Sequence, residues 1–544
     1  MEKTLRNRIS RFVIITAAAI SFRAAPAFAQ TEWTAATANW FTTADWSIAV
    51  PSSTEDAYIA NGGTAQITAT AGTKFSPQPA AVQNLYLGES YSAGSPQSGA
   101  LAVSGTGSLT AKSINIGLSA SGSLTQSAGL VSITGASPSD LSTNDSLCIG
   151  IGISNARQPL PTPSLGSYTL SGGRLAVTEL EAIGDSGVGT FTQTGGDNNC
   201  SSAVTLGREP NGDGTYNMSG GTLEGEILMG DINYQNVRGT FNLSGTGAIN
   251  APNELVTGTI AASPSVFIQS GGSNTVSGVG LTIGLTPGFV PAGRGFGEYI
   301  PPGYGVYSIS AGTLLDSGPL NVGGNYGTFT STGGTSTVAA VNNAGSLIIG
   351  LGINTTGNLT VTGNYNQTAG ITQIDGTLSV AGPNGITLTG GALQGSGSIT
   401  ANITNTSGTV APGDFPGQLS ITGNYTQGAS GALNILIAGP AAASQFDVLN
   451  LTGSATLAGT LDLTFTPGFD PSFGDTFTFL TTGGNDTGQF DTLVSNIQVQ
   501  LNYSPTGVSV TVIPEPASAT LTAFAATAFL TNRPRRQRPL RQSR

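Results

Sequence analysis

One eight-residue pattern constrains this chain more than any other feature. It runs Gly, a small residue, an aromatic or apolar residue, two more residues, then Ser/Thr-Gly-Gly. It reads GSYTLSGG from Gly166, GTFTQTGG from Gly189, GTYNMSGG from Gly214, GTFNLSGT from Gly239 and GTFTSTGG from Gly327. The first four copies start 23, 25 and 25 residues apart. A second pattern, apolar-x-apolar-Gly, interleaves with it and ends at Gly88, Gly117, Gly150, Gly207, Gly230, Gly284 and Gly350. Each unit therefore holds two short alternating strands and two Gly-marked turns. A unit of this size cannot bury its own apolar face and needs neighbours above and below. The expected fold class is all-β: a parallel β-helix or β-solenoid rod over residues 85–430, followed by a small antiparallel β module over 431–512. A propeller would need about 40–50 residues per blade, which the spacing disfavours. The repeats would give about a dozen coils and a rod roughly 60 Å long. The glycines, Gly196 and Gly220 among them, would take positive φ at the corners.

Composition removes much chemistry. The chain has 79 Gly among 544 residues, 9% charged residues and no His. That excludes Ser-His-Asp triads, His-ligated metals and an imidazole base. Cys148 and Cys200 are too few for a four-thiolate metal site or a disulfide framework, and they are not expected to pair. Basic residues crowd the ends: Lys3, Arg6, Arg8, Arg11 and Arg23 at the start, and Arg533, Arg535, Arg536, Arg538, Arg541 and Arg544 at the finish. The body between keeps seven basic residues against 28 acidic ones. Such a body repels nucleic acid, so no nucleic-acid partner is expected.

The two ends read as addresses. Residues 1–29 combine a basic leader, an apolar run from Phe12 to Phe22, and small residues at Ala27 and Ala29 before Gln30. These are the parts of a secretory signal peptide, with cleavage at Ala27, Ala29 and Gln30. The far end reads Pro514-Glu515-Pro516, then an uncharged run over 517–532, then Arg533, Arg535, Arg536 and Arg538. As a helix that run spans about 24 Å. Residues 513–544 resemble the PEP-CTERM sorting signal of exported bacterial proteins, an ending also known as an ice-binding protein C-terminal domain. The resemblance implies an exosortase-type processing enzyme as partner, transient anchoring in the inner membrane through this segment, and a final place at the cell surface or outside the cell. It implies no activity. Residues 30–84, which hold Trp33, Trp40 and Trp46, resemble the opening of autotransporter-like Gly-rich repeats. They are expected to cap the first coil, with sugar stacking on the Trp rings as a second role. The stretch 431–512 resembles the antiparallel module that closes such repeats.

Acidic residues are the remaining candidates for chemistry. Glu179, Glu181 and Asp185, then Glu224, Glu226 and Asp231, could supply the carboxylate pair of a glycosidase. Asp185, Arg208 and Asp231 each follow a motif glycine at a 23-residue spacing, so an exposed ladder of alternating charge is the plainer reading. Asn211-Gly212-Asp213-Gly214 reads as a turn rather than a calcium loop. Thr190-Phe191-Thr192 and Thr328-Phe329-Thr330 could belong to an ice-binding row, although other repeats interrupt it. No catalytic residue, cofactor or metal site is expected. The expectation is an exported structural or adhesin-like protein, with a polysaccharide-binding or polysaccharide-cleaving β-helix and an ice binder as alternatives.

Overall fold

The computed structural model describes residues 29–514, apart from internal segments at 70, 74–75, 90–96, 119, 137–144, 152–164, 232–235, 260, 262, 286–301, 353–355 and 414–415. The chain folds as a parallel β-solenoid, with no α-helix among the described residues. One coil shows the construction. Leu165–Leu170 lies on one face, which we name A; Arg174–Val177 lies on face B, and Leu180–Ile183 on face C. Val188–Gln193 then stacks back onto face A in register, Gly189 on Gly166 and Phe191 on Tyr168.

Two corner glycines explain why the motif is so strict. Gly196 turns the chain from face A to face B at φ +73°, and Gly184 turns it from C to A at φ +67°. Side chains rarely adopt this left-handed region. A Cβ on Gly184 would also lie 2.3 Å from the Asp213 carbonyl oxygen of the next coil. Gly220 differs from expectation. The positive φ belongs to its neighbour Gly221, and Gly220 is required because a Cβ would lie 2.6 Å from the Thr194 carbonyl oxygen.

The inward column of face A runs the whole length of the rod. It comprises Ala38, Ala65, Leu101, Leu124, Tyr168, Phe191, Tyr216, Phe241, Phe267, Tyr307, Phe329, Leu347, Thr372, Leu393, Val410, Leu433 and Leu461, and ends at Leu493, which is exposed on the last coil. At about 4.8 Å per rung the stack is about 80 Å long. Seven consecutive rungs, Tyr168 to Phe329, are aromatic rings stacked at centroid distances of 4.5–5.8 Å, and all are fully buried.

Ring identity along this spine follows the coil before it. Tyr168, Tyr216 and Tyr307 donate to the side-chain oxygens of Gln126, Gln193 and Gln269 at 2.6, 2.6 and 2.8 Å. Each Gln sits two residues after the preceding rung. Where that position is Leu170, Met218, Leu243 or Ile309, the next ring is Phe. A buried phenol needs an acceptor, and a phenyl ring does not.

The coils extend past both expected boundaries. Ala29–Glu32 pairs with Glu55–Ile59, which pairs with Ala80–Leu87, so residues 30–84 already form coils of the solenoid. Parallel pairing also continues beyond 431, through Ala432–Ile437 and Thr460–Phe465 to Thr492–Ser495. Beyond 431 antiparallel pairing joins Thr476–Thr481, Gly507–Val512 and Val499–Ser504, in that order, and a short antiparallel hairpin, Ala71–Thr73 with Ser76–Gln78, stands apart near the other end.

Candidate functional site

The outward positions of face A form two columns. The first runs Ser123, Ser167, Thr190, Thr215, Thr240 and the second Thr125, Thr169, Thr192, Asn217, Asn242, each stacked in register. Strand alternation puts these side chains on the solvent side while Leu124 and the rings face inward. The columns are uncharged, and neighbours bond along them: Asn242 Nδ2 donates to Asn217 Oδ1 at 2.8 Å. The hydroxyl row is less interrupted than the sequence suggested, because Ser167 and Thr215 preserve the first column. It ends where Val266 and Ile268 replace the polar pair.

A groove of about 430 Å³ follows the first column across successive coils. Its floor is Gly63, Ala100, Ser123, Ser167 and Thr190, and Leu165 is half-exposed at its edge. Glycine and small residues make the trough because no side chain rises from those positions. Its described lining carries no charge. The arrangement offers hydroxyls, backbone and one apolar rim to a neutral, extended ligand lying along the rod.

The other candidates fall elsewhere. Trp33, Trp40 and Trp46 are buried and pack edge to face at 5.0 and 4.8 Å, with Trp46 Nε1 donating to the Trp40 carbonyl at 2.8 Å. They close the first coil and present no ring face to a sugar, which corrects the glycan-stacking role. Ala29 and Gln30 belong to the first strand, opposite Glu55 and Asp56. Pro514 is exposed just after the last strand. Ala27, Glu515, Pro516, Arg533, Arg535, Arg536 and Arg538 lie outside the described residues. Among the described residues no helix is long and apolar enough to cross a membrane.

The acidic candidates do not gather at a groove. Glu181 and Asp185 are buried, whereas Glu179 and Glu224 are exposed. Glu224 accepts from Asn199 of the previous coil. Arg208 does meet Asp185, at 3.8 Å, but its shorter contact is to Asp145, which sequence reasoning did not assign. Both aspartates are buried, so this is an interior ion pair and not an exposed ladder. Burial, then the charge of Asp145, pushes the Asp185 carboxyl up to about 7 despite Arg208. Cys148 lies beside Asp145, at 3.6 Å, and both cysteines are free thiols. Burial raises the Cys148 thiol well above its ordinary value, so it is unreactive as a nucleophile. Asp213 in the candidate turn is held by Arg238, consistent with a turn.

A smaller groove of about 240 Å³ near the C-terminal end includes Asp447 and Asp462. Burial raises Asp447 to about 7, but its two oxygens already accept from Gly417 N at 3.0 Å and Leu436 N at 2.8 Å. That carboxyl ties two coils together. Among the described residues no cluster of three or more Cys, Asp or Glu is arranged to hold a metal ion. Compared with known proteins, the chain matches no family model and no curated protein.

Proposed function

We propose that this chain is an exported, non-enzymatic structural or adhesin-like rod of the cell surface or extracellular matrix. Its face A binds a neutral polysaccharide lying along the rod. The observation that carries this reading is the uncharged hydroxyl surface: two in-register columns beside an axial groove, on a body that is otherwise acidic. A neutral hydroxylated polymer suits such a surface, because it needs many weak hydrogen bonds and no counter-charge. The PEP-CTERM-like ending supports export, temporary anchoring through 517–532, and processing near Pro514-Glu515-Pro516 by an exosortase-type enzyme.

The test is a glycan array with the full-length protein and with the double variant Thr190→Lys/Thr215→Lys. Binding to neutral glycans should be lost in the variant while its thermal midpoint stays within about 2 °C, since both changes lie on the solvent side. Binding that survives both lysines would place the ligand elsewhere. A second reading, ice binding, is favoured by the unbroken hydroxyl column from Ser123 to Thr240. Thermal hysteresis of the same two proteins separates it from the first.

A further inference from the structure

We propose that the rod interior contains two built proton-binding sites, the carboxyl groups of Glu181 and Glu254, each held as a neutral acid against an asparagine amide. Both are fully enclosed, at 0% and 1% exposure. Asn198 Nδ2 donates to Glu181 Oε2 at 3.0 Å, with Oε1 at 3.3 Å, and also to the Tyr216 hydroxyl at 3.2 Å. Tyr216 in turn donates to Gln193, whose amide is fixed on the Gly196 and Thr222 carbonyls. The second site repeats these parts. Asn274 Nδ2 donates to Glu254 Oε2 at 2.9 Å and to the Tyr307 hydroxyl at 3.0 Å, and Tyr307 donates to Gln269.

The repetition is a matter of register. The column Glu181, Val204, Ile227, Glu254 advances three coils. The columns from Asn198 to Asn274, Gln193 to Gln269 and Tyr216 to Tyr307 also advance three coils. Four residue types thus recur together in one relative arrangement, which a stray buried acid would not do.

Satisfaction of the polar atoms identifies the proton. Asn198 Oδ1, Asn274 Oδ1 and Glu254 Oε1 are buried and receive no hydrogen bond. An ionised carboxyl would leave these acceptors without a donor, inside an apolar core. A protonated one supplies the missing O–H. The protonated carboxyl accepts from the amide N–H and has an O–H to offer the asparagine Oδ1.

The surrounding charges agree. The titratable groups facing Glu181 are Tyr168, Tyr216 and Cys200, and those facing Glu254 are Tyr307 and Asp316; none is cationic. Burial accordingly raises Glu181 to about 7 and Glu254 to about 8. Raised carboxyls mean that the folded state binds more protons than the unfolded chain above the ordinary Glu range. Their stabilising share is therefore complete in acid and is lost as pH rises through about 7 and then about 8. The rod is a structure that alkali loosens from within.

Infrared difference spectroscopy of the full-length protein, against Glu181→Gln/Glu254→Gln, tests this. At about pH 6, where exposed Glu is ionised, the wild type should show protonated-carboxyl C=O absorption in excess of the variant's. That excess should fade between about pH 6 and pH 9. Glutamine mimics the neutral acid, so the variant's denaturation midpoint should fall less than the wild type's across that range. Asp185, Asp447 and Glu89 are also raised to about 7, so the readout is the difference between the two proteins. The absence of the excess at about pH 6, or parallel pH profiles for the two proteins, would overturn the proposal. Should the double variant fail to fold, the single variants Glu181→Gln and Glu254→Gln give the same difference one site at a time.

Discussion

The coils from Gly166 to Asn343 and those from Ser346 to Ser495 share one architecture built from different interiors. In the first group face A carries the stacked rings from Tyr168 to Phe329, and Gly pairs mark the corner after it. In the second the same column passes through Leu347, Leu393, Val410, Leu433 and Leu461. Both groups pair in parallel on three faces. Parallel stacking therefore requires apolar residues of any shape at inward positions and room at the corners. The aromatic spine is an addition to that requirement, and it links each coil to the next through ring contact and, at Tyr168, Tyr216 and Tyr307, through a Tyr–Gln bond.

Removing a rung measures that addition. Phe241→Ala deletes a ring held at 4.8 Å from both Tyr216 and Phe267. We expect a loss of about 4–5 kcal/mol in denaturant unfolding, from the cavity and the two ring contacts. Leu433→Ala, equally buried, should cost about 2–4 kcal/mol. Equal losses would show that the stacked rings contribute nothing beyond their volume.

Corner glycines sharpen the contrast next. Gly196→Val adds a Cβ at positive φ and 2.7 Å from the Gly173 carbonyl oxygen, and should cost about 3 kcal/mol or more. Smaller again is the hydroxyl of the spine. Tyr216→Phe leaves Gln193 Oε1 without its donor and should cost about 1–3 kcal/mol. The converse change, Phe241→Tyr, should destabilise alone and be rescued by Met218→Gln in the coil below, with a coupling of about 0.5–3 kcal/mol in a double-mutant cycle. Tyr425 instead donates to Gln427 of its own coil, at 2.7 Å, so no change in the previous coil should rescue Tyr425→Phe. The smallest effect is expected at Gly474→Ala in the C-terminal turn. There φ is +90° but nothing lies within 4 Å of the added Cβ, so the cost is about 1 kcal/mol.

The same contrast explains what could be read from the sequence. Repeats with a ring and a Gly pair announce their own register, and Gly166, Gly189, Gly214 and Gly239 stack as their spacing suggested. After Gly431 the pattern fades because Leu and Ile replace the rings and coil lengths vary, yet pairing continues to Ser495. There the sequence motif fades before the parallel coils end, and the antiparallel strands come only at the last turn of the rod. The first coils were hidden for a similar reason: their corners use few Gly pairs, and three Trp residues dominate the segment. The alternation of Tyr and Phe with Gln or an apolar residue was visible, since GSLTQ precedes SYTL and TFTQ precedes TYNM. It acquires meaning only when coils are stacked. Asp145, Glu181 and Glu254 were legible only as acids near turns. Burial comes from the coil above, so no local pattern reveals it.

Small-angle scattering of the full-length protein tests the continuous stack most directly. The expected pair-distance distribution is skewed and extends beyond about 80 Å, the span of the face A column. A symmetric distribution ending near about 60 Å, as a compact globule of this length would give, would contradict it.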